Sequence, residues 1–304
     1  MQTSALSLSA ADNLGAAAEH GRVCAIAATG QRDLMARAAA YPGLFPAAPF
    51  DATVFAAVSM ATAFGAPWCT PEQLRLANRT ALWVFAVDWL IDYRASVASD
   101  VDDVIRACQA VAHGASPAGD DEVGGFLAEL VAELATSPAF ASGRQRWSTE
   151  LDRMLLAMRR EWRWKTARRD DPAGDQPTFA DYLDNADNFG STFVNVSHWL
   201  RNADGPAIAH LDELTTVSRE VQRVLRLVND LATQGRDRGW GDLNAMMFTS
   251  DRAAIHAQIN QLVDRCRVLL RPLEIRCPKE AAYLSRQIGF SSGFYRVADF
   301  WGRL

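Results

Sequence analysis

Asn229, Thr233 and Asp237, in the stretch VNDLATQGRD, set an amide, a hydroxyl and a carboxylate at intervals of four residues. An α-helix advances 3.6 residues per turn, so positions four apart fall along one stripe with a drift of roughly 40° per step. Their oxygens are hard ligands of the kind Mg²⁺ accepts. That ion keeps several waters, or takes phosphate oxygens from a substrate, in place of a full protein cage. Arg236 stands one residue before the carboxylate of the stripe. A second acidic feature lies far upstream in LWVFAVDWLIDYR, where Asp88 and Asp92 are four residues apart within a strongly apolar run. Carboxylates in such company are costly to bury without a cation or several donors, and as a solvent-facing pair they would only repel. A divalent cation shared with a phosphorylated ligand relieves that cost. Without a ligand, the stripe reads as a polar helix face and the aspartates as surface residues near a helix end.

Helices must carry both features. TALWVFAVDWLIDYRASVA, GFLAELVAELATS, WSTELDRMLLAMRREWRWKTARR, ELTTVSREVQRVLRLVNDLAT and AAIHAQINQLVDRCRVLLRPL repeat apolar residues every three or four positions. No valine- or isoleucine-rich stretch alternates with period two, so the fold reads as all-α. YPGLFPAAPFD, GAPWCTPEQ, HGASPAGDDEVGG, RRDDPAGDQPTF, RNADGPA and RGWGD combine Gly or Pro with polar residues and read as the loops between helices. None has the length or bias of an interdomain linker, and no repeat of fixed period occurs, so residues 1–304 are read as one domain. Half the residues (49%) are apolar, enough for one large core.

No window approaches the roughly 18 apolar residues of a membrane span, and MQTSALSLSAADNLG lacks the basic start and apolar centre of a secretory signal. A cytoplasmic location is the expectation. The five cysteines are dispersed, with no CxxC and no companion histidines, and read as small core residues, not as disulfides or a zinc site. A net charge of −5 gives no electrostatic footprint for nucleic acid, and the locally basic RREWRWKTARR reads as a solvated helix face.

Taken together, the aspartate motif behind a W-x-F run and the later Asn-Asp-x-x-Ser/Thr-x-x-x-acid triad resemble the class I terpene synthases. The resemblance covers nearly the whole chain and implies a helical bundle of the isoprenoid-synthase kind. It also implies that both motifs coordinate a trinuclear Mg²⁺ cluster, with Mn²⁺ an admissible substitute, that holds a prenyl diphosphate. Carried over, Asp88 matches the first aspartate of DDxxD, Trp89 replaces the second and Asp92 matches the last. Asn229, Thr233 and Asp237 match the second motif, with Asp237 in place of Glu, and Arg236 falls where a basic residue contacts diphosphate. FADYLDNADNFGS resembles the kinked Y-L-x-x-R-x-x-x-G segment, with Tyr182, Leu183 and Gly190 in register and Ala186 in place of the diphosphate-sensing Arg. The C-terminal Arg-Tyr pair has no clean counterpart in GFYRVADFWGRL, where Tyr295, Arg296 and Arg303 are nearest. Phe85, Trp89, Phe189, Gly190, Arg236, Tyr295 and Arg296 are the expected substrate contacts. Trp83, Phe193, Trp199, Phe290 and Phe294 are further aromatic faces that either stabilise a cation or pack the core.

The absent sensor Arg and the altered aspartate motif are most similar to bacterial diterpene synthases of the ent-kaurene-synthase type. That likeness implies a bicyclic copalyl- or labdanyl-type diphosphate supplied by a separate class II cyclase. Ionisation releases diphosphate, and the cation ends by elimination, cyclisation or water capture. A cyclase of linear geranylgeranyl or farnesyl diphosphate is the alternative within the class, and a non-catalytic helical protein that binds prenyl diphosphates the alternative outside it. A chain-elongating enzyme fits less well, because the second motif is not of the DDxxD type. A homodimer is compatible with the family. SDVDDVIR formally matches the D-x-D-D of class II cyclases, but Asp100, Asp102 and Asp103 directly precede a helical run, where acidic residues cap the N-terminus and favour its dipole.

Overall fold

A computed structural model describes residues 10–301, among which twelve α-helices and no strands occur. Thr70 starts α3 (Pro71–Trp89) with a reciprocal capping box to Gln73 and Pro71 in the first turn. The helix then widens into a π-turn, Leu90–Arg94, closed by Ala95 N–H donating to Leu90 O at 2.9 Å. Asp92 therefore sits in a π-turn and not on a continuous α-turn above Asp88. Such insertions have no sequence signature, but they recur at functional sites.

The other walls of the site come from α2 (Ala52–Gly65), α6 (Pro138–Asp170), α8 (Ser191–Asn202), α10 (Leu211–Trp240) and α12 (Pro278–Phe294). Helix α3 packs on α8 and α2, α6 packs on α8, α10 packs on α8 and α12, and α12 closes back onto α2. Around them lie α1 (Ala10–Ala40), α4 (Ala98–Ala112), α5 (Glu122–Leu134), α7 (Phe179–Asp184), α9 (Gly205–Ala209) and α11 (Arg252–Arg276). One contiguous set of buried side chains runs from Val23 in α1 to Leu284 in α12. Three of the aromatic candidates belong to it: Trp83, Phe193 and Trp199 are fully buried, and the Trp83 indole donates to Val123 O at 2.9 Å.

Three expectations are settled by this packing. Asp100 accepts from Ser96 N–H at 2.8 Å and Val97 N–H at 3.2 Å, so the acidic run does cap α4. RREWRWKTARR is not simply a solvated face, because Glu161 and Trp162 are buried on α6 and Lys165 is only partly exposed. Four cysteines are buried, whereas Cys24 is exposed on α1, and none is in a disulfide. No helix among the described residues is long and apolar enough to cross a membrane. Residues 1–9, which begin the stretch tested for a leader, and Arg303 lie outside the described residues.

Between α7 and α8 the chain makes a 3₁₀ turn, Ala186–Phe189, and then reverses through Gly190 at φ +74°. A Cβ there would lie 2.5 Å from Val84 Cγ1 and 3.0 Å from Met154 Sδ, so glycine lets the kink approach α3 and α6 closely. Gly190→Ala combines left-handed strain with overpacking and is expected to cost about 2–5 kcal/mol. Urea titration should show a lower midpoint with an unchanged slope, whereas an unchanged midpoint would mean that α3 and α6 yield at this contact.

Candidate active site

The helices enclose a cavity of about 240 Å³, with apolar walls that include Val84, Phe85, Phe189, Val194 and Phe290. Its polar end is formed where α3 and α10 face each other across α6. Asp88, Asp92, Asn229, Arg236 and Asp237 line it together, joined by Asp242 from the turn that follows α10. The Gly241 residue at φ +74° ends α10 and brings Asp242 round to this end.

On α10 the stripe is internally bonded. Thr233 Oγ1 donates to Asp237 Oδ2 at 2.6 Å and also lies 3.0 Å from Asn229 O, while Asn244 Nδ2 donates to Asp237 Oδ2 at 2.8 Å. Asn229 Nδ2 donates to the Tyr295 hydroxyl at 2.9 Å, and its amide oxygen lies 3.5 Å from Thr233 Oγ1. Thr233 is itself buried (1% exposed) and does not line the cavity. Arg236 holds Asp237 Oδ1 at 3.1 Å and Asp299 Oδ1 at 2.8 Å, tying the 295–301 segment to the polar end.

Across the cavity the balance of charge differs. Lys165 Nζ donates to Asp242 Oδ1 at 2.5 Å and to the backbone oxygen of Asp92 at 3.1 Å, and Tyr93 O–H donates to Asp242 Oδ2 at 2.5 Å. The Asp88 and Asp92 carboxylates accept no hydrogen bond among the described residues. Burial, and then the charges of Asp242 and Glu161, push the Asp88 carboxyl up to about 7. Burial and the neighbouring Asp88 raise Asp92 well above the usual carboxylate range. Asp237 is also raised by burial, with its Thr233 and Asn244 donors opposing. Burial alone would lower Lys165, but the Asp92 and Asp242 carboxylates outweigh it and hold the ammonium charged.

This donor set fits a divalent cation. Carboxylates without donors, facing an amide oxygen and a bonded hydroxyl–carboxylate pair, are the oxygen ligands that Mg²⁺ takes. No three carboxylate, imidazole or thiol groups among the described residues are gathered to hold an ion unaided. An ion would therefore complete its shell with Asn229, water and ligand oxygens.

Below the polar end, a guanidinium fills the space beside Ala186. Buried Arg226 of α10 makes a paired contact with Glu161 at 2.7 and 2.9 Å, donates to Asn185 O at 3.2 Å and to Asn188 Oδ1, and lies 3.9 Å from the Tyr182 ring. Tyr182 O–H in turn donates to Asp230 Oδ2 at 2.8 Å, and burial pushes that carboxyl up to about 7. Sequence reasoning passed over Arg226, Glu161, Lys165 and Asp242. The available signal was a charged residue on an apolar face, visible for Arg226 within VLRLV and for Glu161 beside Trp162.

Three expected substrate contacts do not line the cavity. Trp89 does not line the cavity: it stacks on Tyr93 at 4.7 Å and packs against Phe50 and Trp301, because the π-turn leaves Asp88 and Asp92 inward and the indole sideways. Arg296 is exposed, since the turn after Phe294 directs Tyr295 inward and its successor out. Gly190 lies behind the wall against Val84, whereas Phe85, Phe189, Arg236 and Tyr295 line the cavity as expected.

Residues 79–249 match the family described as terpene synthase family 2, C-terminal metal binding. Ent-pimara-9(11),15-diene synthase of Streptomyces sp. (strain KO-3988) is 24% identical over 274 residues, which is 89% of this chain and 90% of that protein. Two bacterial crystal structures share the fold. Linalool/nerolidol synthase from Streptomyces clavuligerus, in complex with 2-fluorogeranyl diphosphate, gives a TM-score of 0.67 at 16% identity over 89% of this chain and 94% of its own. 2-Methylisoborneol synthase from Streptomyces coelicolor A3(2), with Mg²⁺ and geranyl-S-thiolodiphosphate, gives 0.69 at 16% identity over 91% and 93%.

The raised aspartates predict a pH-dependent penalty in chelator-treated protein. A carboxyl with a folded pKa above its unfolded value costs nothing below about pH 4, and its cost grows until the pH reaches the folded value, here about 7 for Asp88. Buried His198, lowered by burial to about 4, has the opposite slope but is common to both proteins compared. Asp88→Asn is therefore expected to match the parent near pH 4 and to be more stable by on the order of 1–3 kcal/mol at pH 7. Denaturation curves at the two pH values test this, and equal stability at pH 7 would show that solvent already relieves the charge.

Proposed function

The chain belongs to the terpene synthase family, and from that premise we propose that it is a class I diterpene synthase whose substrate is a bicyclic copalyl- or labdanyl-type diphosphate. Terpene synthases are lyases that release diphosphate from prenyl diphosphates. The observation that carries the assignment of the site is the pair of donor-free carboxylates, Asp88 and Asp92, facing the Asn229–Thr233–Asp237 stripe at one end of an otherwise apolar cavity. Asp88, Asp92, Asn229 and Asp237 would hold Mg²⁺, in a set of three ions by family likeness, and Thr233, expected from the sequence as a fifth ligand, would act from behind by holding Asp237. When bound, the metal neutralises the diphosphate and makes it a leaving group.

The chain's own residues do the rest. Arg236 and Lys165 set positive charge beside the ligand's expected diphosphate position. Asn229 is fixed by its bond to Tyr295, so its oxygen is oriented before any ligand arrives. Phe85, Phe189, Phe290 and Tyr295 line the cavity, and aromatic rings attract cations. The aromatic side chains of Phe300 and Trp301 cover Phe85 at 5.7 and 5.0 Å and help exclude water from the cation.

The bicyclic substrate is favoured by two observations. No guanidinium stands at Ala186 to sense a diphosphate, and both terminal nitrogens of nearby Arg226 are held by Glu161, Asn185 O and Asn188. A rigid decalin needs less guidance at ionisation than a linear chain. The similarity to a pimaradiene synthase along nearly the whole chain supports the same substrate size. A separate class II cyclase would supply the ligand, and residues 1–304 would act as one catalytic domain.

Two outcomes are expected. Diphosphate release should require Mg²⁺ or Mn²⁺ and stop in chelator, and Asp88→Ala, Asn229→Ala or Asp237→Ala should each lower turnover by about 10²–10⁴ without unfolding. Full turnover in chelator would overturn the metal assignment. Side-by-side kinetics should give a kcat/KM at least about tenfold higher for copalyl-type than for geranylgeranyl diphosphate, a difference of only about 1.4 kcal/mol in transition-state binding. Efficient cyclisation of a linear diphosphate with none of the bicyclic one would reject the labdane substrate and keep the class.

A further inference from the structure

The apolar end of the cavity contains a polar cluster that ionisation does not use. Asn195, Tyr283 and Gln287 all line it, and Asn195 and Tyr283 are 0% and 2% exposed. Asn195 Nδ2 donates to Ser218 Oγ at 2.9 Å and to Gln287 Oε1 at 3.0 Å, and Gln287 Nε2 donates to Asn195 Oδ1 at 2.8 Å. Ser218 Oγ in turn lies 3.1 Å from Thr192 Oγ1, which extends the hydrogen-bonded chain along the wall. Tyr283 lies one helical turn before Gln287 on α12 and lines the cavity beside it.

The bonding capacity is not exhausted. Each amide oxygen has two lone pairs and uses one, and the Tyr283 hydroxyl proton has no acceptor among the described residues. Unused acceptors and a donor at a buried wall carry a desolvation cost. A terpene cation needs no such groups, since hydrocarbon or aromatic side chains would line the wall at less cost. One water molecule satisfies all of them, and buried waters typically make about three hydrogen bonds in such places.

The location separates this cluster from the diphosphate end. Along α12, Gln287 and Tyr283 lie roughly 12 and 18 Å from Tyr295, at 1.5 Å per residue, and Tyr295 is the residue that touches Asn229. Along α10, Ser218 lies roughly 16 Å from Asn229 by the same measure.

Resting on the class I reading above, we infer that Asn195, Gln287 and Tyr283 hold a water that captures the final carbocation, so that the product is an alcohol oxygenated far from the carbon that bore the diphosphate. A lone pair of the water forms the new C–O bond. The oxonium then gives up one proton to solvent, and the diphosphate anion released in the first step gains one there. Prenyl diphosphate and water thus become terpene alcohol and protonated diphosphate, with no other reactant. The amides position the water, and the apolar remainder of the cavity keeps other waters from the earlier cations.

Reactions of the full chain with Mg²⁺ and copalyl-type, hydroxylated labdanyl or geranylgeranyl diphosphate in H₂¹⁸O test this, read by diphosphate release and gas chromatography with mass detection. The expected product from a non-hydroxylated substrate is an alcohol carrying one ¹⁸O. In Asn195→Leu and Gln287→Leu its ratio to hydrocarbon should fall at least tenfold at whatever turnover remains. Tyr283→Phe, which removes one oxygen and keeps the ring, should lower the same ratio and covers a failure of the amide variants to fold. Diphosphate release with hydrocarbon products only, or an alcohol ratio unmoved by Tyr283→Phe, would overturn the inference and leave the class I reading intact. Unlabelled oxygen found only with the hydroxylated substrate would replace water by a ligand hydroxyl. No release of diphosphate from any of the three would overturn both readings.

Discussion

The structure depends on how much negative charge it crowds into one end of the cavity. Asp88, Asp92, Asp237 and Asp242 line that end and Glu161 lies with them, in surroundings where burial first, and then the neighbouring carboxylates, raise Asp88, Asp92, Asp237 and Glu161. In a low-dielectric interior, like charges repel far more strongly than in water. Each cation nearby answers a particular part of this field: Lys165 answers Asp242, Arg236 answers Asp237 and Asp299, and Arg226 answers Glu161. Among the described residues the Asp88 and Asp92 carboxylates make no direct ion pair, and Lys165 offsets their charge only from a distance. The long helices can be understood as supports for this field, because α3, α6 and α10 each contribute both an ionised group and the apolar face that anchors it.

The three compensating cations also explain the local backbone. Arg226 braces the 3₁₀ turn through Asn185 and Asn188, and Asn185 Nδ2 returns to Ala157 O on α6 at 2.9 Å. Asp230 receives Tyr182 and the Ala245 N–H, which fastens the chain after α10 to the kinked segment before α8. Buried ion pairs of this type are weak net stabilisers but costly to break, because the surviving charge is left unpaired. They define position more than they add stability, as a site that must bind a polyanion in register requires.

The sequence made the periodic features readable and hid the convergent ones. The all-α fold followed from apolar spacing, and the convergence of Asn229, Thr233 and Asp237 followed from the helical repeat, since both are local. Lys165 and Asp242 meet only through the packing of α6 against the turn after Gly241, so nothing near either residue announces the other. The π-turn had no signature, and for that reason Trp89 was placed in the cavity when its ring lies beside Tyr93. Arg296 was misread for a similar reason: one residue of turn geometry decides which of two adjacent side chains faces inward. The polar trio at the apolar end could not be read at all, because Asn195 lies on α8 and its partners on α12.

One wall of the cavity is not a helix. After Tyr295 the chain runs as a short strap whose Phe300 and Trp301 rings lie over Phe85 and Phe50, and whose Asp299 is clasped by Arg236. The helical walls are locked into the common core, so altering their shape disturbs packing elsewhere. The strap contributes shape to the chamber without that burden. Phe300 and Trp301 are thus positions where evolution, or an engineer exchanging segments between relatives, can remould one wall of the chamber, provided that Tyr295 and Asp299 keep their bonds to Asn229 and Arg236.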